Sequence, residues 1–204
     1  MDIKSAITIE PTGTFVETNP VGVSEILKFY SRAVSCKERS ITYDLQRLTN
    51  LDANLSALLL AVIHRLKKLH GKYVFVEIPS HMNVLFRNGF VSHLSGNGNQ
   101  NKYEDNRQST IPLRSFTLQE DETFSTYLHQ EFFGHRGLYT LSNTTKTNLR
   151  TQFIEIFNNV QLHSNATLPM FSCGQYFPEQ AHLKFTLVDL GQGFLKKINK
   201  HTNG

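Results

Sequence analysis

Three polar residues recur at every fourth position of one segment. Glu155, Asn159 and His163 are spaced i, i+4 and i+8, and on an α-helix each such step drifts by only about 40°, so all three share one stripe. An amide oxygen there can hold a hydrated Mg²⁺ beside nucleotide phosphates, and a carboxylate one turn away can polarise an attacking water as a general base. The same spacing is also typical of an ordinary solvated helix face.

A second group of residues with chemical potential follows an apolar segment, residues 185–188. It reads Asp189-Leu-Gly191-Gln-Gly193. A carboxylate at a strand end can accept a hydrogen bond from an exocyclic amine, and glycines let the backbone approach a flat ring or a phosphate. The alternative is a simple strand-to-loop turn, for which this composition is also typical.

Regular elements are predicted to position both groups. A helix over 143–163 is capped by Ser142 or Asn143, and strands over 168–177 and 183–188 are joined by a turn at Pro178–Gln180. A strand over 111–116 and a helix over 121–133 precede them. The predicted buried stripe of the long helix consists of Leu149, Phe153, Ile156, Phe157 and Val160.

The N-terminal half alternates helices and strands. We predict a helix over 23–34 with Ile26, Leu27, Tyr30 and Val34 on one side, a strand over 41–45, a strand over 73–78 and a short helix over 81–87. A helix between the two strands runs from an N-cap at Asp52 to a C-cap at Gly71. The order β-α-β-α predicts a sheet with helices packed on it.

A polar segment separates the two halves. Residues 95–110 are rich in Gly, Asn and Ser and contain no aliphatic residue, which indicates a surface loop or linker. The sequence therefore predicts an α/β protein of two modules, residues 1–94 and residues 111–204, each with two layers.

Composition narrows the functional classes. Of 204 residues, 39% are apolar and 19% are charged, which is typical of a globular chain. No apolar run is long enough to span a bilayer, and the first residues, Met1-Asp-Ile-Lys4, do not show the basic-then-apolar pattern of a signal peptide. Free thiols at Cys36 and Cys173 suit a reducing cytosol, so we predict a cytoplasmic protein. The net charge of +4 is dispersed and argues against nucleic-acid binding.

In their order along the chain, the two polar groups resemble the motifs of a known superfamily. Residues 155–163 resemble the N-box of the GHKL (Bergerat-fold) ATPases, and residues 189–194 resemble their G1 box. Cys173-Gly-Gln-Tyr-Phe-Pro178 with the strand that follows is similar to a bacterial subgroup. This resemblance, over about residues 111–200, implies a Bergerat-fold α/β sandwich that binds ATP and Mg²⁺.

The resemblance also implies a role for each matching residue. Asn159 holds the Mg²⁺ that bridges the phosphates, and Glu155 is the general base in members that hydrolyse ATP. Asp189 accepts the adenine amino group, Gly191 and Gly193 shape the adenine pocket, and His163 lies near the phosphates. The family's second glycine-rich box and lid follow the G1 box, so we expect these 204 residues to be part of a longer protein; the alternative is a degenerate member of the family.

The N-terminal module resembles a STAS domain. The resemblance rests on residues 41–45, on Leu51-Asp52 with the helix that follows, on the strand 73–78, and on Met82-Asn-Val-Leu85 and Asn88-Gly-Phe90. In STAS domains of the anti-anti-sigma kind a phosphorylated Ser or Thr follows the aspartate; here Ala53-Asn54 follow it and Ser56 is the nearest hydroxyl. The resemblance implies a protein partner for this module.

Together the resemblances predict an ATP-binding regulatory protein in which nucleotide state is coupled to protein–protein interaction. The alternative is a non-catalytic interaction module with a vestigial nucleotide pocket. Mg²⁺-dependent ATPase activity, or transfer of the γ-phosphate to a partner, remains open for a longer protein.

Overall fold

A computed structural model describes residues 6–101, 103–163 and 167–191. Its mixture of helices with parallel and antiparallel sheets confirms the α/β class. The helices are α1 (Pro20–Ser35), α2 (Ser56–His70), α3 (Val84–Arg87), α4 (Phe90–Leu94), α5 (Asp121–Tyr127) and α6 (Asn143–His163). The strands are β1 (Ile7–Ile9), β2 (Phe15–Val16), β3 (Ser40–Asp44), β4 (Asn50–Leu51), β5 (Tyr73–Glu77), β6 (Thr110–Phe116), β7 (Met170–Phe177) and β8 (His182–Val188).

The N-terminal half is built on a parallel sheet in the order β1-β3-β5. Helices α1 and α2 make the crossovers and pack against each other, as expected when successive right-handed crossovers put both helices on one face. The other face is open, and Tyr73 and Phe75 on β5 are 57% and 58% exposed. A separate short parallel pair, β2 with β4, lies beside this sheet.

The C-terminal half is built on an antiparallel sheet in the order β6-β7-β8. Aromatic side chains of α5, α6 and the π-helical turn Leu128–Phe132 cover one of its faces. Phe157 of α6 stacks on Phe124 of α5 with ring centroids 4.6 Å apart. The helix predicted over 121–133 is therefore α5 followed directly by the π-helical turn Leu128–Phe132.

Helix α2 lies between the two sheets. It contacts β5 on one side and β6, β7 and β8 on the other, so apolar residues are buried around most of its circumference. Gly71 ends the helix with a φ of 60°, a conformation that glycine adopts without strain. The predicted C-cap is thus confirmed, and α2 joins the two halves in one core.

The predicted N-cap at Asp52 is wrong. Its side chain caps no helical N–H; a single 3₁₀ turn, Ala53–Leu55, stands between it and α2. The Asp52 carboxylate instead accepts hydrogen bonds from Thr18 and Lys184. The local sequence predicts capping at Asp52. It cannot reveal the actual partner, Lys184, which lies 132 residues further along the chain.

The apolar stripes of two helices differ from their prediction. On α6, Ile156 is 46% exposed, and Ile154 packs against the core in its place. On α1, Leu27 and Val34 are exposed, whereas Gly22, Glu25, Ile26, Phe29 and Ala33 are buried. Both helices bury a face rotated from the predicted one, because the positions of α5 and of the sheets decide which face is covered.

The polar segment over 95–110 is a folded loop. Asp105 accepts hydrogen bonds from the backbone N–H groups of Ser109 and Thr110 and forms an ion pair with Arg87. Helix α3 is shorter than predicted, and α4 was not predicted. No helix among the described residues is long and apolar enough to cross a membrane.

Candidate functional site

The elements that carry the predicted site lie at one edge of the antiparallel sheet, namely the end at which β6 and β8 finish and β7 begins. Phe116 at the end of β6 pairs with Met170 at the start of β7, and Phe171 pairs with Val188 at the end of β8. The side-chain amide of Gln161 donates to the carbonyl of Leu118, just beyond β6. The last turns of α6 and the end of β8 therefore lie at the same edge.

The orientation of α6 is set by its aromatic residues. Phe157 is fully buried against α5, and the ring of Phe153 lies 5.4 Å from that of Phe185 on β8. Glu155 and Asn159 consequently lie on the opposite face, and both are exposed. Position 163 ends the helix, but the side chain of His163 lies outside the described part of the structure.

Asp189 is exposed immediately after β8. Its Oδ1 accepts the backbone N–H of Gly191 at 2.7 Å, which fixes the carboxylate, and no other hydrogen bond joins this carboxylate to a residue that the structure describes. Gly193 lies outside the described residues. Within the described ranges no hydrogen bond or ion pair joins Asp189 to Glu155 or Asn159, so the fold brings their elements to one edge without direct contact between the side chains.

The loop after β8 is also held by the N-terminal half, which the sequence reading missed. Leu190 packs on the core around α2, and its carbonyl accepts a hydrogen bond from Arg65 of α2 at 3.5 Å. The Nε–H of Arg65 donates to the Tyr30 hydroxyl of α1 at 3.0 Å. The one available signal was the position of Arg65, which follows the apolar run over residues 57–63 of α2 and His64.

A polar joint connects β7 and β8 to the turn before α2. Lys184 forms an ion pair with Asp52 at 2.7 Å, and Asn54 donates to the Thr186 hydroxyl at 2.7 Å. The backbone N–H of Ala53 donates to the side-chain oxygen of Gln175. Burial alone would raise the pKa of Asp52, but hydrogen bonds from Lys184 and Thr18 hold that pKa below its usual value.

Cys173 lies at the centre of this joint. Its thiol is fully buried, and hydrogen bonds connect it with Ser56, Asn88 and the carbonyl of Ala53. Burial raises the pKa of Cys173 to about 12, so the thiol stays protonated and unreactive. Ser56, the nearest hydroxyl along the chain after Asp52, is equally buried and inaccessible to a modifying enzyme in this conformation.

The sheet edge offers exposed oxygen donors on Glu155, Asn159 and Asp189. The described residues contain no cluster of three acidic, His or Cys side chains that could form a complete metal site. Mg²⁺ keeps several waters and takes phosphate oxygens, so an exposed amide oxygen such as that of Asn159 could serve as one protein ligand of a nucleotide-bound Mg²⁺.

Comparisons of this chain with protein-family models, with curated proteins and with solved structures found no significant match.

Proposed function

We propose that this protein binds ATP with Mg²⁺ at the edge formed by α6 and the end of β8, and that the bound nucleotide regulates a protein–protein contact. The observation that supports the proposal most directly is that the N-box-like helix and the G1-like turn lie at the same sheet edge with Glu155, Asn159 and Asp189 all exposed. The two motifs are separate in sequence, and the fold brings their elements to the same edge of the sheet, where a nucleotide would bridge from Asp189 to the outward face of α6.

Each residue has a distinct task in the proposed site. Asp189, held by Gly191, accepts a hydrogen bond from the adenine amino group. The Asn159 amide oxygen would hold the Mg²⁺, which when bound neutralises phosphate charge. Glu155, one turn earlier on the same exposed face, would orient a water if the protein hydrolyses the nucleotide.

The joint offers a route by which the nucleotide can influence the N-terminal half. Lys184 and Thr186 lie on β8, which ends just before Asp189, and both bond to the segment before α2. Arg65 extends the connection from the Asp189–Gly191 loop to Tyr30 on α1. A shift of this loop on nucleotide binding would therefore be transmitted to α1 and α2.

The open face of the parallel sheet favours a protein partner for the N-terminal half. Tyr73 and Phe75 stand side by side along that face with more than half of each exposed, and aromatic residues are enriched in protein interfaces. This face also supports the second candidate, a non-catalytic interaction module that does not need the nucleotide.

Calorimetric titration of the 204-residue chain with a non-hydrolysable ATP analogue, with and without Mg²⁺, tests the proposal. We expect Mg²⁺-dependent binding that Asp189→Ala weakens at least tenfold, because a hydrogen bond involving a charged group contributes about 1.5–3 kcal/mol. Asn159→Ala should remove most of the Mg²⁺ dependence.

Asn158→Ala is a matched control for Asn159→Ala. It removes the same amide from the neighbouring exposed position, on a side of α6 rotated by about 100°, and should leave binding unchanged. Equal losses in both variants would contradict the assigned role of Asn159. A folded chain that gives no heat at millimolar nucleotide would favour the interaction module.

A further inference from the structure

A polar pocket lies at the edge of the antiparallel sheet opposite the proposed nucleotide site. Its volume is about 160 Å³, and it is formed by β4, the start of α3 and the loop before β6. Arg87 reaches Ser109, beside the first residue of β6. The length of β8, from His182 to Val188, separates the two edges by about 20 Å, so this pocket is distinct from the proposed nucleotide site.

The lining of the pocket is basic and rich in hydrogen-bond donors. Arg87, Arg107, Asn50 and Asn83 line it, and no carboxylate does. Arg136 adds a third guanidinium nearby, since its Nη2–H donates to the Arg107 carbonyl at 2.8 Å. Beneath these polar groups, Leu51 and Met82 are buried and form an apolar floor.

Arg87 is held in place by hydrogen bonds, whereas the side chain of Arg107 keeps its donors available. Asp105 accepts the Nε–H of Arg87 at 3.1 Å, and the Ser109 hydroxyl accepts from its Nη2 at 3.3 Å. The guanidinium of Arg107 makes no hydrogen bond or ion pair with any residue that the structure describes. Asp105 offsets only one of the three nearby positive charges.

We infer that this pocket binds a phosphate group carrying two negative charges. The fork of Arg107 and the N–H groups of Arg87 that Asp105 and Ser109 leave unused can donate to the tetrahedral oxygens of phosphate, and the unpaired charge of Arg107, with that of Arg136 outside the pocket but close by, favours a dianion. The pocket is large enough to admit a phosphate monoester whose short apolar substituent would lie over Leu51 and Met82. This inference is independent of nucleotide binding at Asp189.

Titration of the ¹⁵N-labelled full chain with inorganic phosphate tests the inference. We expect saturable shifts of the backbone amides of Asn50, Asn83 and Arg87. Arg107→Gln should weaken binding roughly tenfold, because it removes a charged hydrogen-bond donor. Arg107→Lys should restore only part of the affinity, because lysine keeps the charge but lacks the planar fork.

Arg39→Gln is the matched control. Arg39 is exposed and lies outside the pocket, so this variant lowers the net charge equally and should bind phosphate as the unmodified chain does. Equal weakening by Arg39→Gln and Arg107→Gln, or no saturable shift of the pocket amides, would overturn the inference.

The same titration with a short phosphoserine peptide and its unphosphorylated form identifies the source of the phosphate. Tighter binding of the phosphopeptide than of inorganic phosphate would indicate a phosphorylated protein segment, and equal binding would indicate a free phosphate. Asp189→Ala should leave either result unchanged, which separates this site from the proposed nucleotide site.

Discussion

The Asp52 carboxylate is the most consequential single group at the joint between the two halves. Asp52 is only 2% exposed to solvent, yet its carboxylate is ionised because Lys184 and Thr18 donate hydrogen bonds to it. A buried charge with its partner removed is strongly destabilising. The stability of the joint should therefore depend on the protonation of this one group.

Asp52→Asn should destabilise the protein by roughly 1–3 kcal/mol at pH 7, because Lys184 and Thr18 lose a charged acceptor. The pKa of Asp52 in the folded state lies below its ordinary value of 3.8, so its contribution is complete above pH 3.8 and is lost as the pH falls through the lowered pKa. Urea unfolding followed by circular dichroism at pH 7, 5 and 3 should show the difference from the unmodified chain shrinking only below about pH 4.

The exposed Asp121→Asn variant controls for the loss of one carboxylate. It should change the free energy of unfolding by no more than about 0.5 kcal/mol at any of these pH values. A difference between the unmodified chain and Asp52→Asn that stayed constant down to pH 3 would show that the Asp52 charge does not stabilise the fold.

At the scale of elements, the rotation of α6 about its axis decides which of its residues can act. Phe157 is fully buried and Ile156, its neighbour, is 46% exposed. This rotation keeps Glu155 and Asn159 in solvent at the sheet edge. Truncation of the two apolar neighbours measures the rotation directly.

Phe157→Ala should lower the free energy of unfolding by about 3–5 kcal/mol, because it leaves a cavity against Phe124. Ile156→Ala should change it by no more than about 0.5 kcal/mol, because the side chain makes little buried contact. Urea unfolding of both variants checks this. Comparable losses would mean that α6 is rotated toward the predicted stripe and that Glu155 and Asn159 are oriented differently.

Long elements with local signals were predictable from the sequence. Helix α6 runs over the predicted residues, with Ser142 accepting the N–H of Thr145 in its first turn, and Gly71 ends α2 as expected. The exposed face of Ile156 was not predictable, because a period of 3.6 residues admits several stripes, and the position of α5 selects among them. The exposure of Glu155 and Asn159 follows from that tertiary choice.

The joint was beyond sequence reasoning for a different reason. Asp52 satisfies a helix-capping pattern, and its real partner, Lys184, lies on a strand whose residues are all partly covered or exposed. Leu183, Phe185 and Leu187 alternate along β8 and pack on the aromatic cluster, so the alternation predicts that the polar face with Lys184 and Thr186 is in solvent, whereas the segment before α2 covers it. The Arg65 contact with Leu190 is likewise a product of packing.

At the scale of the whole molecule, α2 makes the two halves into one core. Leu113, Phe171 and Cys173 from the antiparallel sheet belong to the same buried cluster as the residues of the parallel sheet and its helices. Separating the halves would expose this apolar surface together with the buried ends of Asn54 and Asn88. The coupling that we propose therefore works through a rigid joint, without opening it.

Labelling of Cys173 measures whether the joint opens. In a Cys36→Ser variant it is the one remaining thiol, it is fully buried, and burial raises its pKa to about 12. Reaction with a thiol reagent should then require global unfolding, so the labelling rate should rise with urea as steeply as the global unfolding equilibrium does. Labelling in the absence of urea that is much faster than global unfolding allows would show that the halves separate while each stays folded. In that case the nucleotide would act by opening the joint, and labelling with and without the ATP analogue would measure how far the opening equilibrium shifts.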